Sequence, residues 1–181
     1  MLKFTICFIK QGDHILLLNR EKPSWMGAWN GVGGKLEPNE TPRESILREV
    51  KEETGIVLDS IDFKGVVTWF VGGTWTGGMY AYIVELPSDY RYETPRKTDE
   101  GILDWKDMQW ILHPENRGIV TNIPKFIGKL IHDPGCFEHR CFYQDGQLVQ
   151  YECMQIDEDI ENVTDKFKLE HFLQVHASFP S

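Results

Sequence analysis

The sequence predicts an α/β (α+β) sandwich built from β-strands and two helices. Short segments rich in β-branched and aromatic residues recur along the chain, and turns that contain glycine separate several of them. One further stretch has helix caps at both ends, and another carries apolar residues at helical spacing. A chain of 181 residues with 41% hydrophobic content can form its own core, so we expect one compact domain.

Two strands are expected at the start of the chain, over residues 2–9 and 14–19. Both segments are rich in strand-forming residues, and the polar segment Gln11-Gly12-Asp13 between them is typical of a hairpin turn. The apolar run over 1–9 is short and leads straight into polar residues, unlike a signal peptide. We therefore interpret it as a strand.

The next element is a helix whose two ends are marked by the sequence. Thr41 can cap the amino end, Pro42 suits the first helical position, and Glu44 completes a capping box three residues after the threonine. Gly55 is typical of the left-handed residue that ends a helix. The pattern predicts a helix from about residue 42 to about residue 54.

The second half of the chain is expected to add strands and one more helix. Strands are predicted over 57–71 as one long or two short strands, and over 79–86, 102–110, 137–143 and 148–154, with a helix over 123–132. The glycine-rich residues 72–78 would join the first two strands, and Asp145-Gly146 would join the last two. Both pairs are expected to be antiparallel.

Three glutamates near the end of the first predicted helix have the spacing of a metal site. Residues three and four apart lie side by side on a helix, so Glu49 would neighbour both Glu52 and Glu53. Such a cluster repels itself and lies at the end of the helix dipole where anions are unfavourable. A hard divalent cation such as Mg²⁺, which prefers oxygen ligands, would stabilise it. A solvated acidic helix face is the alternative interpretation of the spacing alone.

These glutamates lie within a longer pattern, G-x5-E-x7-R-E-U-x-E-E-x-G-U, in which U is aliphatic. The chain matches it at Gly34, Glu40, Arg48, Glu49, Val50, Glu52, Glu53, Gly55 and Ile56. The sequence thus resembles the Nudix hydrolases, which cleave a nucleoside diphosphate linked to a further group. The resemblance implies an α/β/α sandwich, with a mixed β-sheet between helices, over residues 1–156.

The resemblance also implies roles for residues of the pattern. The metal ligands correspond to Glu49, Glu52 and Glu53, with the Gly34 carbonyl as a further ligand. Mg²⁺ is the expected cofactor, and Mn²⁺ is a substitute for it. Arg48 would orient a neighbouring glutamate as part of the catalytic set, and Glu40 would have a mainly structural role where the loop meets the helix.

The preceding run W-N-G-V-G-G-K, over 29–35, resembles the MutT-like branch of the family, which includes 8-oxo-dGTP diphosphatases. In that branch the asparagine that corresponds to Asn30 touches the base. Arg20 and Lys35 are candidate phosphate contacts, and each is equally consistent with a surface charge. Glu115 and Asn116 lie about where relatives place groups that bind the edge of an oxidised purine.

Hydrolysis also needs a group that accepts a proton from the attacking water. Glu53 is one candidate for this base, and Glu100 is the other. The segment T-D-E-G over 98–101 resembles the position from which MutT-like enzymes supply an acidic residue beyond the motif. We favour Glu100 as an auxiliary metal ligand or base, and an exposed turn carboxylate is the alternative interpretation.

The predicted reaction is the Mg²⁺-dependent hydrolysis of a nucleoside triphosphate, such as 8-oxo-dGTP, to a nucleoside monophosphate and pyrophosphate. Other nucleoside diphosphate derivatives are the alternative: ADP-ribose, dinucleoside polyphosphates or 5'-triphosphorylated RNA ends. The lack of proline between residues 55 and 86 counts against ADP-ribose. The acidic pair or tryptophan of some relatives is missing from residues 113–117, which leaves the preference for oxidised purines open. A non-catalytic module would show eroded ligands, but all three glutamates are present.

The formal net charge of −9 argues against binding to duplex nucleic acid or to a membrane surface, because both are polyanionic. The expected partner is instead a small nucleotide, and the oligomeric state stays open. The apolar runs are far shorter than the roughly 20 residues of a membrane span, so we expect a cytoplasmic protein. The four cysteines form no C-x-x-C pair and are expected to be free, mostly buried thiols.

Residues 157–181 lie beyond the region that the resemblance covers. An acidic run opens this segment, and apolar residues at helical spacing over 164–177 predict a short amphipathic helix. We expect the segment to pack on the same domain, and a partner-binding element is the alternative.

Overall fold

The computed structural model describes residues 2–163 and 168–169. Across these residues the chain forms nine strands, three α-helices and a 3₁₀-helix. In chain order they are β1 (Leu2–Gln11), β2 (His14–Arg20), β3 (Trp29–Asn30), α1 (Pro42–Thr54), β4 (Asp62–Val71), β5 (Thr74–Glu85), β6 (Arg96–Lys97), β7 (Gly101–Asp107), α2 (Met108–Leu112), α3 (Ile123–His132), β8 (Cys136–Gln144), β9 (Gln147–Ile156) and the 3₁₀-helix Glu158–Asn162.

One mixed sheet holds all the strands. Its order is β6-β7-β2-β1-β5-β4-β8-β9, and β3 pairs with β2 beside this path. Strand β1 runs parallel to β5, and β4 runs parallel to β8, whereas the other neighbours are antiparallel. The sheet therefore combines hairpins with two parallel pairings that bring distant parts of the chain together.

A hydrophobic core lies on each face of this sheet. Successive side chains of a strand point to opposite faces, so Cys7 of β1 enters one core cluster and Phe8 enters the other. Helix α1 covers the first cluster and contributes Ile46, and α3 covers the second and contributes Phe126. This arrangement confirms the predicted α/β/α sandwich with a mixed sheet between helices.

Helix α1 begins and ends where the sequence predicts. The Thr41 side chain accepts a hydrogen bond from the Glu44 amide, and the Glu44 side chain accepts one from the Thr41 amide. Gly55 ends the helix with φ 77° and ψ 0°, the left-handed conformation that favours glycine. The helix boundaries are local properties of the sequence, and for this reason they could be predicted closely.

Other element boundaries differ from the expectation. The strand expected over 57–71 starts only at Asp62, and β5 already begins at Thr74, so Gly72-Gly73 alone forms the turn. The strand expected over 102–110 ends at Asp107, whose side chain accepts a hydrogen bond from the Gln109 amide and starts α2. A side-chain cap therefore overrides the strand-forming residues that follow it. The hairpin of β8 and β9, the one of β1 and β2, and helix α3 form as predicted.

The described part of the carboxyl-terminal segment packs against the core. Ile160 and Glu161 of the 3₁₀-helix are buried, and Glu161 accepts hydrogen bonds from Arg43 and from the Tyr82 hydroxyl, each at 2.9 Å. Leu169 is also buried in the core cluster beneath α1. The helix expected over 164–177 lies outside the described residues except for residues 168–169, which are helical.

The four cysteines are free, as the sequence predicts. Cys7, Cys136 and Cys141 are buried, and Cys153 is exposed on the edge strand β9. Burial raises the pKa of the Cys7 thiol far above its ordinary value, so this thiol stays protonated and packs as an apolar group. Within residues 2–163 and 168–169, every helix falls short of the length and hydrophobicity needed to cross a membrane.

Candidate active site

The glycine loop over 31–35 lies directly against β1. The Thr5 amide donates to the Gly34 carbonyl at 2.8 Å, and the Cys7 amide donates to the Val32 carbonyl at 2.7 Å. A Cβ atom on Gly33 would overlap the Thr5 carbonyl, and one on Gly34 would overlap the Glu49 carboxylate. The two glycines therefore allow the loop to fit between β1 and the acidic end of α1.

The acidic end of α1 is held against this loop by hydrogen bonds. Glu53 is 8% exposed and accepts a hydrogen bond from the Gly33 amide at 2.9 Å. Arg48 contacts Glu49 at 2.9 Å and Glu52 at 3.1 Å through the same guanidinium nitrogen. Arg48 thus contacts two neighbouring glutamates, and the expectation that it orients one of them stays a prediction.

Arg48 is itself anchored by Glu40, which lies in the loop before the helix. The guanidinium donates to both carboxylate oxygens of Glu40, at 2.7 and 3.0 Å, in the bidentate geometry that suits arginine. These hydrogen bonds hold the pKa of Glu40 at about 2, well below its ordinary value. Glu40 therefore stays ionised and secures the side chain that contacts Glu49 and Glu52.

Two of the α1 carboxylates are held in an environment that disfavours their charge. The pKa of Glu53 is raised to about 7, chiefly by burial and also by the nearby charges of Glu49 and Glu100, while the Gly33 amide and the Arg20 charge oppose the rise. Burial also raises the pKa of Glu49, although Arg48 opposes this rise. Buried anions of this kind are stabilised by a cation.

Glu100 faces this group from the other side of a cavity. Arg20 ends β2 and pairs with Gly101 at the start of β7, so the residue before β7 lies next to Arg20. The Glu100 carboxylate accepts a hydrogen bond from Lys22 at 2.6 Å and lies 3.9 Å from the Arg20 guanidinium. The cavity has a volume of about 380 Å³ and is lined by Arg20, Gly33, Glu49, Glu52, Glu53, Thr98, Asp99 and Glu100. The fold thus brings Glu100 and Arg20 to the helix carboxylates.

The donor atoms around this cavity fit a hard divalent cation. They are carboxylate oxygens. Gly34 is not part of this lining but lies against the Glu49 carboxylate, and its carbonyl accepts one hydrogen bond, from Thr5, which leaves a second lone pair. Nevertheless, no three acidic, histidine or cysteine side chains in the described part of the chain converge in ready metal-site geometry. Arg48 pairs with one oxygen of Glu49 and with one oxygen of Glu52. A carboxylate has further acceptor positions, so these ion pairs can coexist with a bound cation.

A second, larger cavity adjoins the first. It has a volume of about 520 Å³ and shares Arg20 and Gly33 with the carboxylate cavity. Aromatic side chains of Phe4 and Trp69 lie along it with their ring centroids 6.3 Å apart, and Asn30 also lines it. The two cavities are therefore neighbours, one lined by carboxylates and one by aromatic rings, and together they are called the cleft below.

Some residues that the sequence suggested lie away from this cleft. Lys35 is exposed, and only its carbonyl approaches Arg48. Glu115 is exposed, and Asn116 uses its side chain within its own loop, where it bonds the Trp110 carbonyl and the Gly118 amide. Among the described residues, neither cavity lining contains any of the three.

Other residues line the aromatic cavity without having been predicted. Thr5 and Asn122 are buried there, and Trp25 and Tyr143 contribute further aromatic surface. They come from β1, from the residue before α3, from the loop after β2 and from β8. Tertiary contacts bring these distant segments together, so no local pattern could have assigned them to one cavity.

Comparison with known proteins places this architecture in a family. The NUDIX domain family model matches residues 2–130. The chain is 31% identical to "Uncharacterized Nudix hydrolase YvcI" of Bacillus subtilis over 107 residues, which is 59% of this chain and 66% of that protein. It is 27% identical to the mouse "Oxidized purine nucleoside triphosphate hydrolase" over 109 residues, which is 60% of this chain and 67% of the mouse protein. The match thus spans about two thirds of the length of these relatives.

Solved structures share the fold. The MutT protein of Bacillus halodurans superposes with a TM-score of 0.68 over 84% of this chain and 97% of its own, at 24% identity. The NUDIX domain of Shewanella oneidensis NrtR, solved with ADP ribose, gives a TM-score of 0.57 at 16% identity, over 71% of this chain and 85% of that chain. The family match contains the glycine loop, α1 and most of the cleft, so the chain belongs to the NUDIX domain family, the Nudix hydrolases, as the motif predicts.

Proposed function

We propose that this protein catalyses the Mg²⁺-dependent hydrolysis of a nucleoside triphosphate, and that oxidised purines such as 8-oxo-dGTP are among its substrates. The products would be a nucleoside monophosphate and pyrophosphate. The observation that carries the proposal is the cleft, whose carboxylate cavity suits a cation and phosphates and whose aromatic cavity suits a base. Relatives named for the hydrolysis of oxidised purine nucleoside triphosphates support the choice of substrate.

The cation would be held at the acidic cavity. The proposed ligands are the carboxylates of Glu49, Glu52, Glu53 and Glu100, which line the cavity, and the carbonyl of Gly34, which lies beside Glu49. A bound Mg²⁺, or Mn²⁺ in its place, would neutralise phosphate oxygens and lower the pKa of a bound water. Arg48 would position Glu49 and Glu52 around it, because the guanidinium already contacts both.

The phosphates would lie where the two cavities meet. Arg20 lines both cavities, and its buried Nε atom has no hydrogen-bond partner. A phosphate oxygen is the acceptor that this nitrogen lacks. Lys35 remains a proposed phosphate contact only by the resemblance, because its exposed side chain would have to turn towards the cleft.

The proton of the attacking water would pass to a carboxylate of the same cavity. Glu53 is held in place by the Gly33 amide, and Glu100 is held by Lys22, so both are fixed at opposite sides of the space that water would occupy. In-line displacement at phosphorus needs such a positioned acceptor. The pH–rate profiles of Glu53→Gln and Glu100→Gln would identify the base. It is the residue whose replacement removes the acidic limb of the profile.

A turnover screen tests the proposed function. The substrates are 8-oxo-dGTP, unmodified NTPs and dNTPs, ADP-ribose, diadenosine polyphosphates and triphosphorylated RNA, each with Mg²⁺ and with chelator. We expect the highest kcat/KM for a nucleoside triphosphate, with pyrophosphate as the product. Release of inorganic phosphate from a triphosphate, or a preference for ADP-ribose, a dinucleoside polyphosphate or an RNA end, would contradict the proposal.

The cellular setting follows from the same properties. Free thiols and a small anionic substrate suit a reducing compartment, so we propose that the protein acts in the cytoplasm. Its net charge of −9 supports a small nucleotide as the partner, because duplex nucleic acid would be repelled.

A further inference from the structure

The last turn of helix α1 carries two of the proposed metal ligands, Glu52 and Glu53. It lies at the negative end of the helix dipole, where carboxylates are disfavoured. Helix ends also fray, and their last carbonyls need partners from outside the helix. The geometry of the proposed metal site therefore depends on the contacts that hold this turn in place.

Contacts within the helix fix part of the turn. The Gly55 amide donates to the Lys51 carbonyl at 2.9 Å, and the Thr54 hydroxyl donates to the Val50 carbonyl at 2.6 Å. Thr54 is the last helical residue and is only 1% exposed, so water has little access to its own carbonyl. A buried carbonyl at this position needs a donor from another element of the fold.

Tyr92 supplies this donor from the loop over 87–95, which joins β5 to β6. Its hydroxyl donates to the Thr54 carbonyl at 2.8 Å. Burial raises the pKa of the Tyr92 phenol, and the charge of Arg96 and a hydrogen bond from Arg96 oppose the rise. The Arg96 guanidinium also lies 5.4 Å from the centroid of the Tyr92 ring. Hydrogen bonds thus run from Arg96 to Tyr92 and from Tyr92 to the end of α1.

Other contacts hold Tyr92 and its loop without using the hydroxyl. The Trp105 indole nitrogen donates to the Tyr92 carbonyl at 3.2 Å, and the two rings meet edge to face with their centroids 6.5 Å apart. Tyr92 also packs against the core cluster beneath α1. Gln11, at the end of β1, donates to the carbonyls of Pro87 and Tyr90. The loop therefore offers the helix end a donor whose position is fixed independently.

We propose that Tyr92 is a positioning residue for the metal site, because its hydroxyl, oriented by Arg96, fixes the last turn of α1 and thereby Glu52 and Glu53. The inference rests on the proposed function, which requires the cation that these carboxylates would bind. Neither Tyr92 nor Arg96 lines the carboxylate cavity. Their effect would reach the cation through the end of the helix.

Binding of Mn²⁺ to chelator-stripped protein, measured by electron paramagnetic resonance, tests the inference without catalysis. Tyr92→Phe keeps the ring and removes only the hydroxyl that holds the helix end. We expect its Kd for Mn²⁺ to rise about three- to tenfold, less than the roughly 10–100-fold seen when a group bonded directly to a ligand is lost. Tyr90→Phe, at an exposed position of the same loop, is the matched control and should bind Mn²⁺ as the wild-type protein does.

Arg96→Gln separates positioning from a simple effect of charge. If charge alone mattered, removing a cation near the carboxylates would strengthen Mn²⁺ binding, because like charges repel. Loss of the group that orients the Tyr92 hydroxyl should instead weaken it, and Arg96→Lys, which keeps a charged donor, should recover part of the loss. Lys97→Gln removes a neighbouring charge, which pairs with Glu21, and measures the charge effect by itself. Stronger Mn²⁺ binding by Arg96→Gln would contradict the inference.

Steady-state kinetics distinguish a positioning role from a purely structural one. In Tyr92→Phe the Mg²⁺ concentration that gives half-maximal activity should rise by the same factor as the Kd for Mn²⁺. At saturating Mg²⁺, kcat should stay within about twofold of the wild-type value, because the bound cation restores the turn. A purely structural role would lower the thermal transition and leave the Mg²⁺ requirement, measured well below that transition, unchanged.

Failure of the inference and failure of the proposed function are distinguishable. Wild-type protein that binds Mn²⁺ but hydrolyses no nucleoside triphosphate would contradict the proposed function, and the Mn²⁺ affinities would still decide the inference. Equal Mn²⁺ affinity of the wild-type protein and Tyr92→Phe would overturn the inference alone, whereas a wild-type protein that binds no Mn²⁺ would overturn both. If Tyr92→Phe does not fold, the comparison of Arg96→Gln with Lys97→Gln decides the inference.

Discussion

At the scale of single residues, the buried carboxylate of Glu53 combines a proposed catalytic role with surroundings that disfavour its charge. It is 8% exposed, and burial is the main reason why its pKa rises to about 7. The hydrogen bond from the Gly33 amide compensates for only part of the lost hydration. Ionisable groups with strongly shifted pKa values cluster at functional sites. A buried charge that destabilises the metal-free fold is therefore expected mainly at such a site.

Replacing Glu53 with Gln should therefore lower kcat by two to three orders of magnitude, on the scale of a lost acid–base or ligand group. The fold should not suffer, because Gln preserves the size of the side chain and an acceptor for Gly33 while removing a buried charge. Initial rates with Mg²⁺ and thermal unfolding without metal measure the two effects. Glu115→Gln, at an exposed position, is the control, and a near-native rate for Glu53→Gln would rule out its assigned role.

A second residue-scale prediction concerns His139 of β8, which is fully buried and bonds the Tyr151 hydroxyl at 2.8 Å through one ring nitrogen. Burial, and then the charge of Lys129, lower its pKa to about 4. Between pH 6.5 and 4 the unfolded chain binds a proton there that the folded chain does not, so stability falls as the pH falls. The loss should approach about 3 kcal/mol at pH 4.

Urea unfolding of the wild-type protein and of His139→Gln at pH 7 and pH 4.5 measures this effect. The variant lacks the titrating ring, so its free energy of unfolding should fall by about 2–3 kcal/mol less over this interval. Carboxylates titrate equally in both proteins and cancel in the comparison. Equal pH dependence in the two proteins would show that His139 is not held neutral by the fold.

At the scale of elements, helix α1 positions the carboxylates of the motif against the glycine loop. Its cap at Thr41 and its left-handed end at Gly55 determine which residues face the glycine loop. Ile46 and Val50 lie on the same face of the helix as Glu53, about two turns and one turn before it, and they anchor this face in the core. With both ends and the buried face specified, Glu49 and Glu53 meet the loop in only one rotational setting of the helix.

The capping box is open to direct test. Thr41→Ala removes the side-chain acceptor for the Glu44 amide and should cost about 1 kcal/mol of unfolding free energy, measured by urea denaturation. Thr41→Ser keeps the hydroxyl and should lose much less. If the serine variant were destabilised as strongly as the alanine variant, the methyl group and not the cap would explain the effect.

The elements that were not predicted from the sequence have no local sequence pattern of their own. Strands β3 and β6 have two residues each and exist because they pair with β2 and β7. The strand expected over 102–110 ended early at the Asp107 cap. Hairpins and long helices, in contrast, depend on contacts between near neighbours, and these elements could be predicted.

At the scale of the whole molecule, the cleft joins segments that are distant in the sequence. Thr5 lies on β1, the glycine loop precedes α1, Glu100 precedes β7, and Asn122 precedes α3. The pairing of β2 with β7 brings Glu100 next to Arg20, and β1 carries Thr5 in the middle of the sheet. The lining of the cleft therefore depends on the folded sheet as well as on the motif.

Metal binding should stabilise the whole molecule by mass action. With Mg²⁺ or Mn²⁺ at about 100 times its dissociation constant, the free energy of unfolding should rise by about 2.7 kcal/mol. Thermal unfolding of chelator-stripped protein with and without the ion measures the rise. It should persist in Glu85→Gln, which alters a carboxylate on β5 outside the cleft, and disappear in Glu52→Gln. An unchanged transition in the wild-type protein, with calorimetry showing no uptake, would contradict the metal site.

The motif residues, the ends of α1 and the hairpins could be inferred from the chain alone, because each depends on neighbours within a few positions. The resemblance to relatives suggested Glu115 and Asn116 as contacts to the base, whereas neither lines the cleft and Thr5 and Asn122 do. The sequence could suggest Arg20 and Glu100 but could not show that they line the same cavity as Glu53. Such contacts arise from pairing between strands far apart in the chain, which short-range patterns do not encode.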